Sequence, residues 1–155
     1  MRLRGCLLFA WLTLALVAPA APQEQPAEKK TASRTLKVKL SYKGSGAVDG
    51  THRIFVFLFD SPDFMQGSTG PFARTSVSVK DDTVVFADVA KSPVYVVAAF
   101  DPAGNYDGQA GPPPAGASMA IYSKHPGMPE PEPVKIDPGQ TVQIEMAFDD
   151  SMKMP

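Results

Sequence analysis

Apolar and polar residues alternate strictly along two stretches of the chain, one early and one near the C-terminal end. TLKVKLSY and TVQIEMAF each place an apolar side chain at every second position. A period of two is typical of a β-strand that has one buried and one exposed face. We therefore predict two half-buried strands. Their buried residues would be Leu36, Val38, Leu40 and Tyr42 in the first strand, and Val142, Ile144, Met146 and Phe148 in the second.

Two further stretches are apolar on both faces. They are RIFVFLF, from Arg53 to Phe59, and VYVVAAF, from Val94 to Phe100. Both are rich in β-branched and aromatic residues, which favour strands that are covered on both sides. We predict that these two strands are central in the fold.

Shorter strands and turns account for the rest of the pattern. RTSVSVK and TVVFADV are separated only by Asp81 and Asp82, which is the spacing of a hairpin. A short strand is predicted at SMAIYS, an extended piece at PVKI, and a type II turn at DPGQ. No segment has a helical period. The pattern predicts an all-β fold, an antiparallel sandwich of about seven or eight strands that is transthyretin-like (prealbumin-like) or immunoglobulin-like.

The N-terminal region differs in character from the remaining chain. Basic MRLRG precedes apolar CLLFAWLTLALVA, and the small residues Ala18 to Ala20 follow. This order is typical of a signal peptide, with an uncleaved membrane anchor as the alternative, and the apolar run is short for a membrane span. A periplasmic or secreted product without a membrane span is expected. The predicted organisation is a signal peptide at 1–20, a flexible linker at 21–33, a β-sandwich domain at 34–149 and a C-terminal tail at 150–155.

Charge and cysteine content narrow the possible partners. The formal net charge is −1, and cleavage after Ala20 would make the product more acidic by removing Arg2 and Arg4. No basic surface for nucleic acid is therefore expected. The single cysteine, Cys6, precedes the apolar run and would leave with the signal peptide, so the mature domain would have to be stable without a disulfide.

Three motifs occur in a characteristic order along the chain: FVFLFDSPDF, then DDTVVFADVAKSPVYVVAAFDPAGNYDG, then GPPPAGAS. In this order the chain resembles bacterial exported domains of unknown function that are related to transthyretin-like and carboxypeptidase-regulatory-like sandwiches. The resemblance extends from about Lys37 to Phe148 and implies a β-sandwich fold and export. The loop of that family typically runs Asp-x-Asn-x-Asn-Gly-x-x-Asp. Ala103 and Tyr106 replace its first Asn and its Gly here, which weakens the metal role that the resemblance implies.

The loop FDPAGNYDGQAGPPP contains three side chains with oxygen ligands, Asp101, Asn105 and Asp107. Calcium and other hard cations bind where several oxygens converge. An EF-hand is excluded, because Ala103 and Tyr106 occupy positions that require a ligand and a glycine. A weak calcium site and a turn whose side chains bind their own backbone are the two interpretations, and we expect the turn.

A second group of possible metal ligands consists of Met119, His125 and Met128. Thioether and imidazole groups suit copper, particularly Cu(I). Methionine also fills gaps in apolar cores, so a copper-handling protein is the weaker alternative.

The sequence offers no recognisable catalytic motif. It has no G-x-S-x-G or H-E-x-x-H motif, and no cysteine would remain as a nucleophile after cleavage, so we do not expect an enzyme. Exposed aromatic residues on sandwich loops make binding surfaces for protein or sugar partners, because a flat ring buries much area at little entropic cost, and such residues equally often cover the core. Phe64, Tyr106 and Tyr122 are the candidate ligand-binding residues. We predict a non-catalytic binding or accessory module that presents the loops Ser61–Phe72 and Asp101–Pro114 to a partner or ligand. A protein or carbohydrate of the cell envelope and a small apolar molecule are the alternatives, and the sequence does not choose between them.

Overall fold

A computed structural model of the protein describes residues 32–67, 69–109, 111–125 and 130–155. The predicted signal peptide, all but the end of the predicted linker, and Met128 lie outside these ranges. Within them, no helix has the length and apolar character needed to cross a membrane.

The described residues form two β-sheets with one short 3-10 helix. One sheet has the strand order β4-β1-β7 and the other has the order β3-β2-β5-β6. The architecture is an all-β sandwich, as the alternation predicts. The strands are β1 (Thr35–Tyr42), β2 (Ile54–Phe59), β3 (Ala73–Val77), β4 (Asp81–Phe86), β5 (Tyr95–Phe100), β6 (Ser118–Ile121) and β7 (Thr141–Phe148), and the 3-10 helix is Pro62–Gln66.

The half-buried strands bury the faces that their alternation predicts. All four apolar residues of β1 are buried, and so are the last three of β7, whereas Val142 is partly buried. These side chains pack between the two sheets against Ile54, Val56 and Leu58 of β2. This core supplies most of the apolar burial that stabilises the domain.

The two strands that are apolar on both faces lie at the centre of the four-stranded sheet. β2 pairs with β3 on one side and with β5 on the other, and β5 also pairs with β6. The inner face of β2 belongs to the core between the sheets, whereas Phe55 and Phe57 belong to a second apolar cluster on the outer face. The prediction of central, doubly covered strands is confirmed.

The predicted hairpin between RTSVSVK and TVVFADV is wrong. β3 pairs with β2 in one sheet and β4 pairs with β1 in the other, so the chain changes sheets between them. Asp81 and Asp82 begin β4, where the Asp81 carboxylate accepts a hydrogen bond from Ser41 Oγ at 2.6 Å. Neither aspartate has the positive φ that a two-residue hairpin favours. The change of sheet lets Val77 and Val84 face the same core.

The expectation of purely antiparallel pairing is wrong for one pair of strands. β1 and β7 run parallel, with Thr35 opposite Thr141 and Tyr42 opposite Phe148. The other strand pairings in the described part of the chain are antiparallel. Alternation within a strand is the same for both directions, so the long connection between β1 and β7, which local sequence does not specify, decides the orientation.

The ends of the last strand show one confirmed turn and one unexpected pairing. The DPGQ turn closes with a hydrogen bond from Gln140 N to Asp137 O at 3.0 Å, and Gly139 has a φ of 82°, as a type II turn requires at its third position. After β7 the tail does not simply extend from the domain. Its residues Met152 and Met154 exchange backbone hydrogen bonds with the start of β6.

Candidate functional site

A cleft of about 770 Å³ opens on the outer face of the four-stranded sheet. Its floor consists of side chains from the sheet, and its walls come from three separate segments of the chain. Floor residues are Phe57, Phe59, Val97 and Met119, and wall residues include Phe64, Met65, Gly70 and Pro71 on one side, Gln109 and Gly111 to Ala115 on another, and Met154 and Pro155 on a third. The loops at Ser61–Phe72 and Asp101–Pro114 thus border the same cleft.

The 3-10 helix forms the first wall. Ser61 caps its beginning, because Ser61 Oγ accepts a hydrogen bond from Asp63 N at 3.2 Å, and Pro62 supplies a fixed φ in the first turn. Gly67, with a φ of 71°, ends it. The Phe64 ring is buried and stacks on Phe59 with centroids 4.6 Å apart, which fixes the helix to the sheet.

The second wall is the loop that follows β5, and Tyr106 holds it in place. The Tyr106 ring is buried edge-on against Phe55 at 4.9 Å, and its hydroxyl donates a hydrogen bond to the carbonyl of Gly111 at 2.9 Å. Burial raises the pKa of this phenol. Tyr106 therefore fixes the loop at Gly111, next to the proline run Pro112–Pro114, whereas Phe64 lines the cleft itself.

The third wall is the C-terminal tail, which a partly buried polar network attaches to the sheet. Asp150 Oδ1 accepts hydrogen bonds from Tyr42 Oη at 2.5 Å and from Ser118 Oγ at 2.6 Å. Lys153 Nζ donates to Ser118 Oγ at 2.7 Å. Ser118 is buried and its proton is directed at a carboxylate, so it is arranged as a structural hydroxyl and not as a nucleophile. Beyond this network, Met154 reaches the cleft.

Arg74 is the charged side chain of the cleft. It projects from β3, and its Nη1 donates hydrogen bonds to the carbonyls of Gly108 and Gln109 at 2.6 and 2.9 Å. Both acceptors are neutral, so these bonds position the guanidinium without cancelling its positive charge. Among the described residues that line the cleft, Arg74 is the only one with a charged side chain.

The predicted calcium ligands occupy one loop, but the carboxylate of Asp101 faces the backbone. Asp101 is 1% exposed, and its two oxygens accept hydrogen bonds from Ala103 N at 3.0 Å and Tyr106 N at 2.8 Å. Asp107 Oδ1 accepts one from Gln109 N at 2.7 Å, and Asn105 is exposed. No cluster of three or more His, Cys, Asp or Glu side chains that could hold a metal ion occurs within the described ranges.

The remaining sequence candidates lie in different environments. Met119 is buried in the outer apolar cluster, whereas His125 is exposed with its Nδ1 3.0 Å from Glu132 Oε1. Met128, the third possible copper ligand, lies outside the described residues. Tyr122 packs against the core between the sheets and is not among the residues that line the cleft.

The outer face of the three-stranded sheet has a smaller depression of about 370 Å³ with a different character. Lys39 and Glu145 form an ion pair across it at 3.2 Å, and both side chains are more than half exposed. Exposed pairs of this kind are common on solvated surfaces and contribute little to stability. This face therefore resembles ordinary protein surface more than the cleft does.

Comparisons of the chain with protein-family models, with curated proteins and with solved structures found no match. The functional interpretation therefore rests on the geometry of the cleft. Phe64 and the two loops could be predicted from the sequence, whereas Phe57, Arg74 and Met154 were not recognised as residues of a site. Phe57 lies in a strand that the sequence predicts to be covered on both faces, but nothing local in the sequence indicates which segments cover it.

Proposed function

We propose that the chain is an exported, non-catalytic binding module and that the cleft on the four-stranded sheet is its binding site. The observation that carries this proposal is the convergence of three separate segments around an apolar floor. The three segments leave a concave volume of about 770 Å³ between them, although Phe57, Val97 and Met119 at its base are only 3%, 5% and 3% exposed. Ligand sites are typically concave, largely apolar and supplied with a few polar groups.

Of the partners that the sequence leaves open, the lining of the cleft favours a small apolar molecule over an envelope protein or carbohydrate. Its volume of about 770 Å³ lies within the usual range for small-molecule sites. Its described lining is mostly aromatic, aliphatic, thioether and proline side chains. Sugars require many hydrogen-bonding partners, and this lining supplies few of them.

The proposal includes a fold family and a cellular location. The motifs FVFLFDSPDF and GPPPAGAS support a transthyretin-like or immunoglobulin-like sandwich, and the order of basic, apolar and small residues before Ala21 supports export. Intact mass of the natural product tests the second part. We expect a mature N-terminus at Ala21, and a product that retains Met1 would contradict export by signal cleavage.

Binding in the cleft is tested with a neutral apolar fluorophore, N-phenyl-naphthylamine. We expect its emission to rise with the purified protein and its affinity to fall about tenfold or more in Met65→Glu, because the variant places a charge beside the apolar floor. Val85→Glu is the matched control. Val85 is 54% exposed on the other sheet and Met65 is 51% exposed, so both variants add the same charge at equally accessible sites. Equal affinities of the two variants would place the fluorophore elsewhere and contradict the proposed site.

A further inference from the structure

We propose that the ligand of the cleft is a small amphipathic carboxylate, with an alkyl or aryl body on the apolar floor and its carboxylate on Arg74. This inference rests on the proposed function and names the class of ligand for the same site. Two features of the cleft support it independently: the composition of its floor and the placement of its single cation.

Arg74 is prepared for an anion by its present contacts. Its two hydrogen bonds to the carbonyls of Gly108 and Gln109 both use Nη1. A guanidinium also has N–H donors on Nη2 and Nε, and a carboxylate can accept two guanidinium hydrogen bonds in parallel. Because the loop carbonyls fix one end of the group, little side-chain entropy would be lost when an anion binds.

The surroundings of Arg74 favour an anion over a neutral or cationic ligand. The other described lining residues have uncharged side chains, and most of them are apolar. Arg74 is exposed at the border of this lining, so a paired set of guanidinium hydrogen bonds, more than a low dielectric, distinguishes a carboxylate from a neutral or cationic head.

The floor of the cleft favours an apolar body without a peptide backbone. Phe57, Val97 and Met119 form the buried apolar base of the cleft, and the partly buried Phe59 and Met154 pack against the same cluster and supply the apolar surface that a ligand would contact. A bound peptide would bring N–H and C=O groups that need partners, and partners of that kind lie along sheet edges, not on sheet faces. An alkyl or aryl group carries no such requirement.

Three ligands with the same chain and different heads test the inference: octanoate, octanol and octylammonium. Each is titrated into the full protein by calorimetry below the concentration at which it aggregates. We expect octanoate to bind about tenfold more tightly than octanol, and octylammonium to bind most weakly, because one charge-assisted hydrogen-bond pair distinguishes the heads. Equal binding of octanoate and octanol would overturn the inference but leave the proposed function intact. No binding of any of the three, together with no displacement of the fluorophore, would contradict both.

Variants at Arg74 test whether this residue causes the preference for octanoate over octanol. Arg74→Gln should abolish the preference for octanoate over octanol, whereas Arg74→Lys should retain much of the preference because it retains the charge. Lys39→Gln is the control, since it makes the same change in net charge on the opposite sheet. If Lys39→Gln reduced the preference as much as Arg74→Gln, the effect would come from the overall charge of the protein, and the assignment to Arg74 would be wrong.

Discussion

The hydroxyl of Tyr42, at the end of β1, donates a hydrogen bond to the Asp150 carboxylate at 2.5 Å across 108 positions of sequence. Ser118 and Ser45 donate to the same carboxylate. These hydrogen bonds, of which that from Ser118 has the largest effect, hold the pKa of Asp150 far below its usual range. The carboxylate therefore joins β1, β6 and the tail most strongly in its ionised form.

Acid should weaken the domain through Asp150. Because the pKa of Asp150 is lowered on folding, its contribution is present above the unfolded value of about 3.9 and is lost as the pH falls toward the folded value. We expect the free energy of unfolding to fall steadily below about pH 5 in denaturant titrations. Asp150→Asn should reduce this slope.

Asp49 should also make stability depend on pH in the acid range, so the free energy of unfolding of Asp150→Asn should still fall with pH. The pKa of Asp49 is lowered to about 2, chiefly by hydrogen bonds from the backbone N–H groups of His52 and Thr51. Tyr42→Phe should reduce the acid slope in the same direction as Asp150→Asn, because it removes one donor to Asp150. Superimposable acid slopes for wild type and Asp150→Asn would show that the network does not make this contribution.

Gly46 should tolerate no side chain. A Cβ at this position would lie 2.3 Å from the ring of Phe100, which is buried and contacts Tyr42 with centroids 4.7 Å apart. We expect Gly46→Ala to lower the free energy of unfolding by about 1–3 kcal/mol, because the ring has no room to move. Gly50→Ala is the control, since no atom lies within 4 Å of its added Cβ. If Gly46→Ala and Gly50→Ala changed the free energy of unfolding equally, the cost at Gly46 would come from the loss of backbone freedom and not from overpacking.

The floor of the cleft should also contribute to stability. Phe57 is 3% exposed, so we expect Phe57→Ala to cost about 3–5 kcal/mol in denaturant unfolding. Lys39→Ala removes an exposed side chain whose ion pair is solvated, and it should change stability by less than about 1 kcal/mol. Comparable costs would show that Phe57 is not packed as described.

Alternation predicted the burial of individual faces well, because the side-chain direction along a strand depends only on local geometry. The buried positions of β1, such as Leu36, and the central location of β2 followed from this rule. Strand partners did not follow from it. The change of sheet between Val77 and Val84 and the parallel pairing of β1 with β7 depend on connections whose path is set by the whole core.

The residues of the cleft could be predicted only in part, because several of them meet through tertiary contacts that local sequence does not specify. Phe64 and the loop Asp101–Pro114 could be singled out by their aromatic and proline content. Arg74 and Met154 join them only through tertiary contacts, namely two hydrogen bonds from Arg74 to loop carbonyls and the pairing of the tail with β6. No local pattern marks either residue.

The hydrogen bonds of Asp101 favour one of the two interpretations of its loop, a turn that binds its own backbone, over the other, a weak calcium site. Both carboxylate oxygens of Asp101 already accept backbone hydrogen bonds from the loop, so we expect identical melting curves in EDTA and in millimolar calcium. Asp101→Ala should cost at least about 2 kcal/mol, because it leaves the backbone N–H groups of Ala103 and Tyr106 without their acceptor. Asp107→Ala, at an exposed position, is the comparison and should cost less. A rise in melting temperature with calcium that is lost when Asp101 and Asp107 are both changed to Asn would instead establish a metal site, since only an ion bound to the folded state stabilises in proportion to its concentration.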